Sequence, residues 1–132
     1  MRLVLDTNVI ISALLFDGQP EKLLLSTMGG AHQLVLSPYI ISETNRILEE
    51  KFKVNPKNLT NLTNLLGESE IFYFEPFLDI LADKPDNRVL ETAVKGDVNY
   101  LVTGDKQLLD LREYKRIKII KVTECLKLLW SW

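Results

Sequence analysis

The chain has 132 residues, 46% hydrophobic and 26% charged, with a formal net charge of -2 and a pI near 5.4; such a length and composition suit one globular domain and exclude a disordered or fibrous class. The start, Met-Arg-Leu-Val-Leu-Asp, meets a carboxylate too early for a signal-peptide apolar region, and no run of roughly 18 apolar residues offers a membrane span, so a cytoplasmic protein without membrane contact is expected. Cys125 is the only cysteine, which excludes an internal disulfide, and neither it nor His32 has the company that a thiolate metal site needs.

In chain order, Leu3 to Leu5 is a short apolar run ending at Asp6, as in a strand buried on both faces. Thr7 and Asn8 offer a cap for the apolar helix that follows, and a second helix after Pro20 should stop at Gly29 and Gly30. Leu34 to Leu36 repeats the strand signal. Ser37-Pro38 then predicts a helix to about Phe52, with Ser as cap and Pro at the first helical position. Asn55-Pro56 begins another helix, broken near Gly67, and Ile71 to Phe74 reads as a third strand. Pro85 opens a helix ending at Gly96, Tyr100 to Thr103 is a fourth strand, and Ile117 to Val122 a fifth. Thr123 caps a last helix that runs into Trp130 and Trp132. Residues 1–132 show no repeat, low-complexity tract or Gly/Ser linker, so a single domain is expected.

Strands separated by helical stretches require crossover connections. The expected fold is therefore α/β, a three-layer α/β/α sandwich around a mainly parallel five-stranded sheet. Sheets of this kind place their chemistry just beyond the carboxyl ends of the strands, and Asp6 and Asp105 stand beyond the first and fourth.

Most acids, among them Glu49, Glu50, Glu68 and Glu91, read as solvated surface charge. Four others are placed differently. Asp6 sits between an apolar strand and an apolar helix, where its bland role would be a turn or cap. Asp86 shares a helical line with Val89, Leu90 and Ala93, at spacings of three, four and seven, so it heads a core-facing stripe. A carboxylate there needs a partner, because an unpaired buried charge is costly; the bland alternative is a first-turn acid favoured by the helix dipole. Glu43 lies beside the stripe of Ile40, Thr44, Ile47 and Leu48, and its simplest role is an ion pair with Arg46. Asp105 follows a strand through Thr103-Gly104. Brought to one end of the sheet, the four acids would form an oxygen-only cluster suited to hard cations, Mg²⁺ or Mn²⁺, whose absence leaves mutual repulsion to raise some of their pKa values. Such ions would also answer the objection that a net acidic chain lacks the basic face expected of a nucleic-acid binder. The basic run Arg112, Lys115, Arg116, Lys118 and Lys121 reads more simply as a solvated loop and strand edge.

Leu-Asp-Thr-Asn-Val at 5–9, Ser-Pro-Tyr-Ile-Ile-Ser-Glu at 37–43, Asp-Asn-Arg-Val-Leu-Glu-Thr-Ala at 86–93 and Tyr-Leu-Val-Thr-Gly-Asp at 100–105 resemble, in order and spacing, the PIN-domain nuclease family over essentially the whole chain. Within that family the chain resembles the toxins of toxin–antitoxin pairs, relatives of the VapC-type ribonucleases. The resemblance implies an α/β/α sandwich and a metal-dependent endoribonuclease in which Asp6, Glu43, Asp86 and Asp105 bind one or two Mg²⁺ or Mn²⁺ ions. Asn8 and Thr103 would support the site, with Asp83 an extra acid that is either an outer ligand or a loop residue. It implies an RNA substrate, products with 5′-phosphate and 3′-hydroxyl ends, and a small antitoxin protein as partner. The apolar tail Leu128, Leu129, Trp130 and Trp132 would serve a homo-oligomer or pack on its own core.

Other classes fit less well. A phosphorylation-dependent receiver needs a phosphate-accepting Asp after the third strand, where this chain has Glu75-Pro76, and a haloacid-dehalogenase phosphatase needs a second Asp where Asn8 stands. A PIN fold that only binds RNA, or one that matures housekeeping RNA, would carry the same elements; intact acids favour catalysis over binding alone.

Overall fold

The computed structural model describes residues 1–130, without the side chain of Trp130. Its elements are β1 (Arg2–Leu5), α1 (Thr7–Leu15), α2 (Gln19–Thr27), β2 (Gln33–Leu36), α3 (Pro38–Glu50), α4 (Thr60–Glu68), β3 (Glu70–Ile71), α5 (Lys84–Lys95), β4 (Tyr100–Val102), α6 (Lys106–Leu111), β5 (Glu113–Tyr114), β6 (Ile117–Ile120) and α7 (Val122–Trp130).

The six strands form one sheet in the order β3-β2-β1-β4-β6-β5, parallel throughout except for the β5–β6 hairpin. The expected fold class is correct and the strand count is one short. The missing strand, Glu113–Tyr114, has no apolar run to announce it and exists because its backbone pairs with Lys118 and Ile117. Consecutive residues of a strand point to opposite faces, yet Leu3, Val4 and Leu5 are all buried, as are Leu34, Val35 and Leu36. Helices therefore cover both faces.

Several local expectations shift by a residue or two. Asp6, rather than Thr7 or Asn8, occupies the cap position of α1, and Thr7 is already helical. Ser37 caps α3 as expected, accepting from the Ile40 amide. The stretch after Asn55 is a 3-10 turn at Pro56–Asn58 followed by α4, and Gly67 lies inside α4 instead of breaking it. Only Glu70 and Ile71 join the sheet, although the Phe72 amide still bonds to the Leu36 carbonyl at 2.9 Å. β4 ends at Val102 and β6 at Ile120, and Thr123 lies within α7, which starts at Val122. Gly29 and Gly30 do turn the chain after α2, both at positive φ. Gly96 ends α5 for a different reason: it packs against β2, where an added Cβ would overlap Val35 Cγ1.

The largest departure is Glu91, expected on the surface and found with no exposure at all. Residues 72–82 run over α5 without regular structure and bury it. Both ends of the Glu91 carboxylate are used: Oε2 accepts from the Phe77 and Leu78 amides at 2.5 and 2.6 Å, and Oε1 lies 2.7 Å from Arg88 Nε. Asn87, also fully buried, accepts from the Ile80 and Leu81 amides and donates to the Leu81 carbonyl. The segment's backbone thus finds partners on α5 that a sheet would otherwise supply.

At the other end of the chain, α7 packs on α2 and β4 and buries Cys125, Leu126 and Leu129. Of the apolar tail, Leu129 serves the core, whereas Trp132 lies outside the described residues. Among the described residues no helix is long and apolar enough to cross a membrane.

Candidate functional site

A cavity of about 160 Å³ opens at the carboxyl ends of the central strands, and Asp6, Asn8, Glu43, Asp83, Asp86 and Asp105 all line it. Asp6 arrives at the end of β1, Glu43 on the second turn of α3, Asp86 on the first turn of α5, and Asp105 at the cap of α6 beyond β4. The parallel sheet brings these together, because each crossover returns the chain so that the next strand ends on the same side.

Asp6 is held on both oxygens. Oδ1 accepts from the Thr7 amide at 2.7 Å and Oδ2 from the Thr103 hydroxyl at 2.7 Å, while its own amide bonds to the Val102 carbonyl. Thr103, fully buried, also accepts from the Asp105 amide at 2.9 Å, so one hydroxyl ties the two acids together. Asp105 in turn accepts from the Gln107 and Leu108 amides and caps α6. Burial raises the pKa of Asp6 above the ordinary aspartate value, against the bonds from Thr103 and Thr7 that favour its charged form.

Asp86 differs in having only another acid, Asp105, as a side-chain partner. It is 6% exposed, and its Oδ2 is buried without a hydrogen-bond partner. Burial first, then the neighbouring Asp105, Asp83 and Asp6, push its carboxyl up to about 7. The partner expected from its place on the α5 stripe is therefore not a protein cation: the nearest charges are other acids.

Glu43 is half-buried in the same wall but has a cation of its own. Arg46 Nε reaches its Oε2 at 2.7 Å and Nη2 its Oε1 at 3.2 Å, and the Tyr39 hydroxyl lies 3.3 Å from Oε1. The bond from Arg46 lowers the Glu43 pKa, and burial beside Glu43 raises the Tyr39 phenol to about 12. The ion pair with Arg46, the bland role foreseen for Glu43, coexists with its place in the cavity wall. Tyr39 was not singled out from the sequence; its spacing of four residues from Glu43 on one helix was the available signal.

Asp83 lies on the rim, exposed, at the cap position of α5 but with no capping bond from its side chain. Asn8, also exposed, stands at the mouth. Of the basic run, Arg112, Lys115, Arg116, Lys118 and Lys121 are all exposed. The turn at Lys115 and Arg116 precedes β6 and so lies at the opposite end of the sheet from the cavity, consistent with solvated charge.

Among the described residues no three acidic, His or Cys side chains already converge as a ready-made ion site. The donor chemistry nevertheless fits a hard cation. The cavity is lined by carboxylates and amide or hydroxyl groups without soft ligands, and the orphaned Asp86 oxygen, together with the raised Asp6 and Asp86, marks a deficit of positive charge.

A mainly parallel α/β fold with a cavity of acids at the carboxyl ends of β1 and β4 defines a class of proteins whose site depends on carboxylates from separate elements. A PIN domain profile matches residues 2–107, most of the chain, and the chain belongs to the PIN-domain family. PIN domains are generally nucleases, that is, hydrolases. The solved structure of VapBC2 from Rickettsia felis bound to a DNA fragment from its promoter has the same fold: the TM-score is 0.60 at 15% identity, covering 92% of this chain and 98% of that one. No curated protein sequence matches the chain significantly.

Proposed function

We propose that the chain is a metal-dependent endoribonuclease and the toxin of a toxin–antitoxin pair, acting in the cytoplasm through Asp6, Glu43, Asp86 and Asp105 as one domain over residues 1–132. The observation that carries the proposal is the buried Asp86 carboxylate, its Oδ2 without a hydrogen-bond partner and its neighbours all acids. Unpaired buried charge is tolerated where something other than the protein neutralises it. Asp6, Asp86 and Asp105 would hold one or two Mg²⁺ or Mn²⁺ ions, joined by Glu43 once it parts from Arg46. When bound, such an ion supplies an acidified water and neutralises charge on the phosphoryl oxygens and the leaving group.

The chain's own residues do the positioning. The Thr103 hydroxyl fixes the direction of the Asp6 carboxylate and, through the Asp105 amide, the start of α6. Fixed direction matters because a ligand that must be reoriented loses affinity. Asn8 at the mouth and Asp83 on the rim are placed to meet solvent or substrate rather than the floor of the cavity. The partner reading rests on the family and on the fold shared with VapBC2: a small antitoxin protein would cover the acidic cavity, and a homo-oligomer remains part of the proposal.

Cleavage of single-stranded RNA by purified protein, with Mn²⁺, with chelator, and with Asp6→Asn, tests the proposal. Activity is expected only for the wild type with metal. Cleavage that persists in excess EDTA, in protein free of contaminating nuclease, would refute it.

A further inference from the structure

Beside the acidic cavity lies a second and larger one, about 590 Å³, between the ends of α1 and α3. The two cavities share Asn8 and Ile47 in their walls, so they are adjacent. Their sizes differ in a way that matters. Ligand sites usually offer roughly 300–1,000 Å³; the acidic cavity, at about 160 Å³, falls below that range, and its neighbour lies within it. A polymer whose phosphate enters the acidic cavity must therefore lay its adjoining nucleotide somewhere outside it.

The larger cavity has the chemistry to receive one. Phe16 follows α1 in an extended conformation and is 57% exposed, so its ring is available to a ligand in this cavity. Its ring meets that of Phe52 edge-on, centroids 6.2 Å apart at 71°, so one ring of the pair keeps both faces clear of the other. Lys51 Nζ lies 5.7 Å from the Phe52 centroid. Arg46 lines the larger cavity, its guanidinium shared between Glu50 and Glu43, which lines the acidic one. The charged residues lining the larger cavity are Arg46, Lys51 and Glu50; Arg46 is ion-paired with Glu43 and Glu50, which leaves Lys51 as the cation outside an ion pair. Aromatic faces beside cations are how single-stranded nucleic acids are gripped without sequence readout, and a purely apolar partner helix would have no use for the cations.

We infer that the cavity between Phe16, Phe52, Lys51 and Arg46 is the subsite for the nucleotide adjoining the scissile phosphate, a base stacking on the aromatic pair and its phosphate facing the two cations. The inference rests on the nuclease reading of the neighbouring acids but is tested separately from it. It also gives Arg46 a second charge to serve: were Glu43 to turn to a bound cation, the guanidinium would keep Glu50 and have Nε and Nη2 for phosphate.

The experiment is fluorescence anisotropy with a labelled single-stranded RNA of about twelve nucleotides, long enough to cover one binding groove, in EDTA so that hydrolysis does not interfere. Phe16→Ala should weaken binding about tenfold, the equivalent of one lost stacking contact, whereas Phe16→Trp should preserve it and Lys51→Glu should weaken it. In Mn²⁺ the same Phe16→Ala change should raise KM and leave kcat in place. Phe16 is exposed, so its variants are expected to keep the wild-type melting temperature. An unchanged Kd for Phe16→Ala, or a wild type that binds no RNA, overturns the inference. A wild type that binds RNA through Phe16 yet never cleaves it with Mn²⁺ overturns the nuclease reading and leaves the subsite standing.

Discussion

Replacing Asp86 by Asn keeps the shape of the side chain and removes its charge, so the structure makes a prediction that runs against the usual cost of altering a buried residue. The carboxyl is raised from 3.8 to about 7 by burial and by Asp105, Asp83 and Asp6. In the unfolded chain it would ionise near 3.8, so between those values the folded protein holds a proton that the unfolded chain has lost. The folded state is therefore unpenalised at acid pH and loses stability as pH rises toward and through about 7. The distance from 3.8 to about 7, at ~1.4 kcal/mol per tenfold change in proton affinity, sets a ceiling of about 4 kcal/mol. Water at the mouth and relaxation of the neighbouring acids reduce this, and about 1–2 kcal/mol is expected. For a chain of this length that is a rise in Tm of about 3–8 °C for Asp86→Asn. Calorimetry in EDTA at about pH 8 should show the gain, and at about pH 3 it should vanish, because both states of the wild type are then largely protonated. With Mn²⁺ the order reverses: the wild type gains stability from the ion and the variant gains little, and cleavage by the variant is abolished. A lower Tm for Asp86→Asn at about pH 8, or an equal gain at both pH values, would refute the account of a carboxylate strained by burial and like charge.

Asp83→Asn should be milder than Asp86→Asn in both turnover and Mn²⁺ affinity, since Asp83 is exposed on the rim; a dead Asp83→Asn beside an active Asp86→Asn would move the ligand assignment to Asp83. Glu91→Ala leaves Arg88 Nε and the Phe77 and Leu78 amides without their acceptor and should cost about 3 kcal/mol, with Glu91→Gln, which keeps an acceptor, distinctly less severe in urea unfolding. Gly96→Ala would drive a Cβ into Val35 and toward the Thr92 carbonyl, for an expected loss of about 1–3 kcal/mol; a neutral effect would mean that α5 and β2 are not packed as described.

Much of this was legible in the chain because the signals were local. Wholly apolar strands followed by caps fixed a parallel sheet covered on both faces, since only strands buried on each side can afford to lose alternation. Asp6 and Asp105 could be placed because each lies next to a strand end, and Asp86 because its stripe with Val89, Leu90 and Ala93 needs only helical periodicity. Glu91 shows where that reasoning fails. It lies off the stripe and is polar by type, and its burial depends on residues 72–82 crossing α5, a contact that no helical spacing encodes. β5 escaped notice for a similar reason, its two residues being a strand only through pairing with β6. Tertiary structure alone also decided that Glu43 turns to Arg46 while Asp86 meets only other acids, and that Phe16 and Phe52, 36 residues apart in sequence, meet over one cavity next to the acids. Periodicity determines which face a residue takes; what waits on that face depends on how distant segments pack, and the charge balance of the site is set there.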